Sequence, residues 1–335
     1  MKLSLNLGYW GSERRDDLAL VQLAEDVGFD CVWVGEAYGS DGVTPLAWLA
    51  ARTKHIGLGT AVLQMAGRSP ALTAMTAATM DALSDGRFRL GLGMSGPQVV
   101  EGWHGIPYGK PMRRTREYVD VVRQALRREK PVEHHGEYYD IPYRGADGTG
   151  LGKPLKLILH PRRPDLPIYL AALGPQNVKL AGEIADGWLP VFFSPTRFEE
   201  VFAPTLGPVG PDFDVSPIVE VVVGPDVREC RMRVKHTIAL YMGGMGAKGR
   251  NFYQVMATRY GYGHATEKIQ ELFLSGRKDE AAAAVPDELV DEVALCGPPG
   301  RIGELLERWT SSPITSMSCM TRDPEAVRLL ADLLR

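Results

Sequence analysis

Residues 56–93, IGLGTAVLQMAGRSPALTAMTAATMDALSDGRFRLGLG, contain the repeating unit that decides the fold. The unit begins with a short apolar run at 56–62 and continues with small and apolar residues at helical spacing over 69–84. A second short run follows at 88–93. Two strand patterns joined by a helix of this length are typical of a βαβ unit, whose strands are parallel. The stretch therefore predicts a parallel sheet covered by helices.

The same alternation continues on both sides of this unit. Candidate strands lie at 3–7, 31–35, 56–62, 88–93, 168–172, 187–192, 218–223 and 314–320. Helical patterns follow them at 17–29, 44–53, 69–84, 113–129, 175–185, 195–203, 226–242 and 323–334. Eight such units in 335 residues, 44% of them apolar, predict a single domain over 1–335 that closes into a (β/α)8 TIM barrel.

Two insertions interrupt the regular spacing. The first follows strand 4 and its helix, where a stretch rich in Gly, Pro and Tyr runs to Pro167. The second lies between strands 7 and 8, where about ninety residues of helical sequence include the flexible stretch 243–252. A cap over the barrel mouth is expected from this second insertion.

Composition excludes several classes of function. A net charge of -3 argues against a nucleic-acid partner, which favours a basic domain. No apolar run approaches the roughly 18 residues of a membrane span, and the chain opens on a strand pattern, so a cytoplasmic protein is expected. No metal site is expected either, because the adjacent His134 and His135 would face opposite ways on a strand. The cysteines lack metal-ligand or disulfide spacing: Cys31, Cys230, Cys296 and Cys319.

Positive charge is concentrated in residues 110–163, which hold 13 Lys and Arg against seven Asp and Glu. This segment could face the anionic tail of a ligand. The alternative is a solvated, arginine-rich helix. The sequence leaves both interpretations open.

A literal G-x-G-x-x-G occurs at 91–96, directly after a predicted strand. A dinucleotide-binding Rossmann turn would open a helix at once and place an acidic residue near the end of the next strand. Here prolines and glycines from Pro97 to Pro111 predict irregular chain until Arg113. The motif is therefore interpreted as a glycine-rich loop at the carboxyl end of a barrel strand, where the backbone can approach a ligand closely.

Several segments of this chain resemble the bacterial luciferase-like superfamily. They are AEDVGFDCVWVGEAYG at 24–39, GLGTAV at 57–62 with MAGRSP at 65–70, LSDGRFRLGLGMSGPQVVEGWHG at 83–105, YLAALGPQNVKLAGEIADGW at 169–188 and ALYMGGMGAKGRNFY at 239–253. Within that superfamily the chain is most similar to a branch of F420-dependent oxidoreductases. The narrow signatures of this branch are SLNLGYWG at 4–11 and GEAYGSD at 35–41.

The resemblance implies an enzyme, most simply a homodimer, that transfers a hydride between the deazaflavin coenzyme F420 and a small organic carbonyl, alkene or imine. The deazaflavin ring would lie across the barrel mouth, backed by a strand-3 bulge with a cis peptide bond at Ala61-Val62. The cofactor side chain would follow the loop after strand 4, its phosphodiester the turn after strand 5. Those loops contain Met94, Ser95, Gly96, Pro97 and Gln98, and Ala172, Leu173, Gly174, Pro175 and Gln176.

The candidate catalytic residues depart from the deazaflavin-dependent glucose-6-phosphate and secondary-alcohol dehydrogenases. Those relatives carry Asp-His after strand 2, where this chain has Glu36 and Ala37, and a Glu where Gly96 stands. Their alcohol-to-ketone mechanism is therefore not carried over. Glu36 could exchange a proton, or it could anchor the ring or a backbone N–H. His104 could donate the proton instead, or make a structural hydrogen bond.

Four aromatic residues follow strands at the same predicted end of the barrel and suggest a substrate pocket: Tyr9, Trp10, Tyr38 and Trp103. Two other functions remain open on the same fold. One is an FMN-dependent luciferase-like monooxygenase. The other is a non-catalytic cofactor-binding protein, which the missing His and Glu would suit.

Overall fold

The fold of residues 1–246, 249 and 251–335 is given by a computed structural model. Its strands are β1 (Lys2–Asn6), β2 (Cys31–Val34), β3 (Gly57–Thr60), β4 (Leu63–Gln64), β5 (Phe88–Gly93), β6 (His134–His135), β7 (Asp140–Ile141), β8 (Ile168–Leu170), β9 (Gly187–Trp188), β10 (Asp214–Val215), β11 (Ile218–Val223), β12 (Ala294–Gly297) and β13 (Ser316–Met320). A 3-10 turn, Met65–Gly67, follows β4.

The α-helices cover most of the remaining chain. They are α1 (Leu18–Asp26), α2 (Val43–Ala50), α3 (Pro70–Leu83), α4 (Pro97–Gly102), α5 (Pro111–Arg127), α6 (Pro175–Ile184), α7 (Phe198–Val201), α8 (Ala203–Leu206), α9 (Val227–Gly244), α10 (Phe252–Arg259), α11 (Gly263–Leu274), α12 (Lys278–Ala283), α13 (Asp287–Val293), α14 (Pro299–Thr310) and α15 (Pro324–Leu333).

The strands form a parallel sheet that curls into a barrel, as predicted. Its order is β1, β2, β3, β5, β8 and β9, with β4 continuing β3 along β5. Residues 214–223 close the ring, because β10 pairs with β9 while β11 pairs with β13, which pairs with β1. The barrel therefore has eight strand positions, and 214–223 occupies the seventh.

Alternation along the strands separates two layers of side chains. Residues in register on neighbouring strands, such as Leu5, Val32 and Leu58, are fully buried in the core under the helices. Their sequence neighbours point into the barrel, since successive side chains of a strand face opposite ways. There Trp33 and Tyr169 pack edge to face at 5.1 Å and fill the interior below the mouth.

Both insertions are present. The first contains the antiparallel hairpin β6–β7 and a cis bond at Ile141-Pro142. The second contains α9 to α14, and part of its expected flexible stretch, 243–252, lies outside the described residues. The four-residue strand β12 inside this insertion was not predicted. It pairs in parallel with residues 220–223 of β11. Its sequence, ALCG, is too short to predict a strand by pattern alone.

Two predicted elements were wrong in detail. Residues 97–102, expected to be irregular, form α4, because a proline at the first helical position presets the backbone for a helix. The predicted helix at 195–203 is instead two single turns, α7 and α8, which meet at Phe202. In the described part of the chain, no helix is long and apolar enough to cross a membrane.

Candidate functional site

The third barrel strand is interrupted at the mouth, and one side of the mouth is built around that interruption. The Ala61-Val62 bond is cis, as the resemblance implies. A Cβ built on Gly93 would lie 2.5 Å from Val62 Cγ2 and 3.8 Å from Ala171 Cβ, so only glycine lets Val62 sit against β5. We call Ala61, Val62, Gly93 and Ala171 the third-strand wall.

Two helices begin on adjacent strands beside this wall. The helices α4 and α6 follow β5 and β8, which pair at Leu92 and Leu170. Each helix has an extended glycine as its N-cap, a proline in its first turn and no capping side chain. Free N–H groups at a helix start favour an anion. A Cβ at Gly174, the N-cap of α6, would meet no other atom within 4 Å, so this backbone faces open space.

The predicted cofactor-binding residues therefore share one side of the mouth. Among the two loops, Met94 and Ala172 are buried, whereas Gln98, Pro175 and Gln176 are exposed. Ser95 adopts a positive φ of 62°, which turns the chain from β5 into α4. Ala172 is fixed by the indole of Trp188, whose Nε1 donates to the Ala172 carbonyl at 2.9 Å.

Glu36 lies at the mouth after β2 and is surrounded by hydrogen-bond donors. Its Oε1 accepts from the Gly42 N–H at 3.0 Å and from the Arg68 guanidinium at 2.9 Å. Its Oε2 accepts from the Gln64 N–H at 3.1 Å. The side chain is only 11% exposed. Of the two roles considered, the structure supplies the contacts of the anchor, and proton transfer by Glu36 stays a prediction.

His104 joins the same network through Gln64. The Gln64 amide nitrogen donates to the Ala37 carbonyl at 3.0 Å, which leaves its Oε1 as the acceptor for His104 Nε2 at 2.6 Å. This arrangement assigns the proton to Nε2 in the neutral imidazole. Gln64, at 3% exposure, thus links both candidate catalytic residues, a connection that its position after the third strand did not reveal.

The predicted aromatic residues separate into two places. Tyr38 and Trp103 are 59% and 66% exposed, and their ring centroids lie 6.5 Å apart at the rim of the mouth. Tyr9 lies close enough to Tyr38 for their charges to interact, and burial is the main cause that raises the pKa of Tyr9. Trp10 instead lines a cleft beside Trp48 of α2. Its place in a shared substrate pocket stays a prediction.

A second, small cavity lies on the far side of the mouth and was not predicted. It opens between the ends of the sixth, seventh and eighth strand positions, below α9. We call it the Glu220 cavity, after the one carboxyl in its lining. Its lining residues are Val191, Phe192, Ile218, Glu220, Val234, Thr237, Tyr241, Val293, Ala294 and Met320.

Glu220 is held loosely in this apolar surrounding. The hydroxyl of Thr237 donates to its Oε1 at 3.4 Å, and no other described residue hydrogen-bonds its carboxyl group. Burial raises the pKa of Glu220 to about 7, and the Thr237 hydrogen bond opposes that rise. A glutamate in the middle of the strand IVEVVV is a polar residue in an apolar pattern, which was the available signal for this site.

Aromatic side chains cover the Glu220 cavity from above. Tyr241 of α9 packs against Phe192 at 5.3 Å and Tyr253 of α10 at 4.8 Å, both edge to face. Burial raises the pKa of Tyr241 to about 12, and Tyr9, Glu220 and Tyr38 add to the rise. These interactions bring the cavity and the predicted aromatic residues of the first two loops to one mouth.

The basic segment 110–163 is tied down by ion pairs. Arg113 pairs with Glu137 and Arg116 with Glu183, while the buried Arg114 lies 4.4 Å from the centre of the Tyr138 ring. Contact with a ligand tail stays a prediction.

Among the described residues, no three His, Cys, Asp or Glu side chains stand close enough to hold a metal ion.

Comparison with known proteins connects this geometry to a family. The sequence model of the luciferase-like monooxygenase family matches residues 7–316. The chain is 47% identical over its full length to a protein of Mycobacterium tuberculosis, provisionally named as a coenzyme F420-dependent oxidoreductase, and covers 99% of that protein. It is 31% identical to the 5,10-methylenetetrahydromethanopterin reductase of Archaeoglobus fulgidus, over 89% of this chain and 86% of the relative.

A solved structure shares the whole fold. The coenzyme F420-dependent tetrahydromethanopterin reductase of Methanopyrus kandleri superposes with a TM-score of 0.77 at 24% identity. The match covers 99% of this chain and 98% of that one. The likeness therefore extends through both insertions as well as the barrel.

Proposed function

The chain belongs to the luciferase-like monooxygenase family, and from this premise we propose that it is an oxidoreductase that uses coenzyme F420. It transfers a hydride between the deazaflavin and a small organic substrate that contains a carbonyl, alkene or imine. The observation that carries this proposal is the 47% identity, over the whole chain, to a relative named for F420-dependent oxidoreduction. The relative named for methylenetetrahydromethanopterin reduction supports the same chemistry.

The residues at the mouth fit a deazaflavin with an anionic side chain. The third-strand wall consists of small side chains around Gly93, with Ala61 and Val62 partly buried and Ala171 exposed, against which a planar ring can pack. Beside it, the uncapped start of α6 offers N–H groups to a phosphodiester, and the space at Gly174 lets that group approach the backbone. We propose that the loops 94–98 and 172–176, with Ala61 and Val62, hold the cofactor.

When bound, F420 supplies a carbon that gives or accepts the hydride, so the protein must mainly orient the reactants and manage a proton. The Glu36, Arg68 and Gln64 network holds the backbone at the ends of β2 and β4 in fixed positions beside the wall. Tyr38 and Trp103 stand exposed at the rim, where they can close over a bound substrate and exclude water. The catalytic part predicted for Glu36 and His104 is included in this proposal as positioning, Glu36 through its backbone contacts and His104 through Gln64.

A binding titration tests the cofactor assignment. Purified protein is titrated with F420 and, separately, with FMN, and cofactor fluorescence gives each dissociation constant. We expect F420 to bind at least ten-fold more tightly. Tighter binding of FMN, followed by oxygen-dependent substrate oxidation, would support the monooxygenase alternative instead. Binding of F420 with no change in its redox state for any carbonyl, alkene or imine offered would favour the non-catalytic alternative.

A single substitution tests the phosphodiester contact. Gly174→Val fills the open space at the start of α6 without clashing with the protein, so the fold should be unaffected. Its F420 affinity should fall about ten-fold, which is about 1.4 kcal/mol. Gly210→Val is the matched control, because a Cβ there also meets no atom within 4 Å but lies in a different loop. Equal affinities of the two variants would contradict the contact.

We further propose that the chain acts as one luciferase-like domain over residues 1–335, as a homodimer, in the cytoplasm. Exposed apolar side chains on α3, Leu72 and Met75, are 45% and 53% accessible in the single chain and would suit a partner copy. Light scattering after size exclusion should give twice the chain mass of 36.7 kDa. A mass of one chain at micromolar concentration would contradict the dimer, and fractionation of cells tests the compartment.

A further inference from the structure

The two sides of the barrel mouth face each other across the substrate space. In an eight-position barrel, the third and seventh positions are diametrically opposite. The third position carries Ala61 and Val62, and the seventh, residues 214–223, carries Glu220. A planar ring that packs on the third-strand wall would therefore present its other face toward the Glu220 cavity.

Glu220 faces the cavity because of its place in the strand. Val219 and Val221 are 0% and 3% exposed and pack in the core under the helices. Ile218 and Glu220 alternate with them and line the cavity, together with Met320, which lies in register with Glu220 on β13. All three of these cavity-facing side chains are only partly buried, as expected for walls of a space that a ligand enters.

We propose that Glu220 is the proton donor for substrate reduction, and that the substrate is an uncharged molecule with a polarised double bond and an apolar substituent that packs against the apolar lining of the Glu220 cavity. This inference rests on the proposed function. The hydride and its electron pair come from the reduced deazaflavin, which is oxidised, and form a C–H bond at one atom of the double bond. The Glu220 O–H bond breaks, and its proton bonds to the other atom through the former π electron pair. The carboxylate then regains a proton from water.

The surroundings of Glu220 suit this role. Among the residues that line the cavity from the sixth, seventh and eighth strand positions, α9, α13 and β12, Tyr241 is the only other titratable group. None of the described residues that line the cavity is a Lys, Arg or His. Burial raises the pKa of Glu220 to about 7, where a general acid is available at neutral pH and still releases its proton readily. Tyr241, with its pKa raised to about 12, stays protonated.

The first test needs neither cofactor nor turnover. Infrared difference spectra of the free protein between pH 5 and 9 should contain a protonated-carboxyl band that disappears with a midpoint near 7. Glu220→Gln should remove that band. Thr237→Val removes the one hydrogen-bond donor that the described residues provide to the carboxyl group, so the midpoint should move to higher pH. Absence of such a band in the wild-type protein would overturn the proposal.

The second test uses cyclohex-2-en-1-one as the substrate probe with reduced F420. Glu220→Gln should bind F420 as the wild type does and lower turnover by about 100-fold or more. Wild-type turnover should fall as pH rises through about 7, and Thr237→Val should shift that fall upward by the same amount as the infrared midpoint. The probe itself should bind more weakly above pH 7 in the wild type but not in Glu220→Gln.

The outcomes separate the two proposals. A turnover rate of Glu220→Gln equal to that of the wild type would show that Glu220 is not the donor while the F420 assignment stands. Probe affinity that is independent of pH in both proteins would show the same. If no protein variant binds F420, the proposed function is wrong, and the infrared titration still decides whether Glu220 holds a proton at neutral pH.

Discussion

Two carboxyl groups at the barrel mouth, Glu36 and Glu220, have the same chemistry and opposite surroundings. Glu36 receives three hydrogen bonds of 2.9 to 3.1 Å, one of them from a guanidinium. Glu220 receives one, at 3.4 Å, from a hydroxyl. A carboxylate with several donors is stabilised as an acceptor, whereas a carboxyl group in an apolar cavity favours its protonated form. The difference teaches that position at a strand end does not separate an anchoring carboxyl group from a candidate proton donor; the number of hydrogen-bond donors around it does.

The largest expected effect comes from removing the well-bonded carboxylate. Glu36→Ala leaves Arg68 and two backbone N–H groups without their acceptor, and should lower the free energy of unfolding by about 3 kcal/mol. Urea unfolding measures this loss, and Glu36→Gln, which keeps one acceptor oxygen, should lose less. A stable Glu36→Ala protein with a changed pH profile of turnover would reverse the roles of the two acids.

Removal of the cation from the same network should have a smaller effect. Arg68→Met leaves Glu36 with its two backbone donors, so we expect a loss of about 1.5 kcal/mol. Arg113→Met is the control, since Arg113 is 59% exposed in its pair with Glu137 and such surface pairs stabilise a fold only weakly. Equal losses in the two variants would mean that burial of the Glu36 network adds nothing to the free energy of unfolding.

Glu220 should make the free energy of unfolding depend on pH. Its folded pKa lies above that of the unfolded chain, so the folded state binds more protons between about pH 4.5 and 7. Wild-type stability should therefore fall across this window relative to Glu220→Gln, and the gap, at most about 3 kcal/mol for a pKa raised from 4.5 to about 7, should level off above pH 7. Thermal unfolding from pH 4 to 9 measures the gap. A gap that is constant with pH would place Glu220 with Glu36 among the anchored carboxylates.

The smallest effect is expected at His104. Its imidazole makes one hydrogen bond, to Gln64, at the edge of the Glu36 network, so His104→Ala should cost about 0.5 kcal/mol. If His104 only orients Gln64, turnover should fall by less than ten-fold, and its pH profile should keep the wild-type midpoint. A shift of that midpoint in His104→Ala would make His104, rather than Glu220, the group that titrates during catalysis.

The sequence predicted the architecture because each β-α unit carries its own period. Eight strands were placed correctly, and seven of the eight helical patterns contain a helix of at least eight residues. The failures were local. The strand β12 has four residues, and its pairing with β11 comes from tertiary contacts that no window of sequence contains. The helix α4 was missed because the glycines and prolines in and around it are typical of irregular chain.

The site was predictable where the resemblance supplied it and where backbone geometry decides it. The cis bond at Ala61-Val62 and the glycine-capped start of α6 were placed in this way. Glu220 was missed because its role depends on which face of β11 turns inward and on which helices lie above it. Those helices belong to an insertion of about ninety residues. Glu36 was found, but the three donors that surround it come from separate loops.

One consequence follows from the way residues 214–223 close the barrel. This stretch pairs with β9 and β13 and leads directly after β11 into α9, so the helix above the Glu220 cavity continues from the seventh position. The third-strand wall instead belongs to β3, β5 and β8. The two halves of the mouth can therefore diverge separately. Exchange of residues 224–293 between relatives would change the lining of the Glu220 cavity without altering the third-strand wall, which makes the seventh position the natural junction for building new specificities on this scaffold.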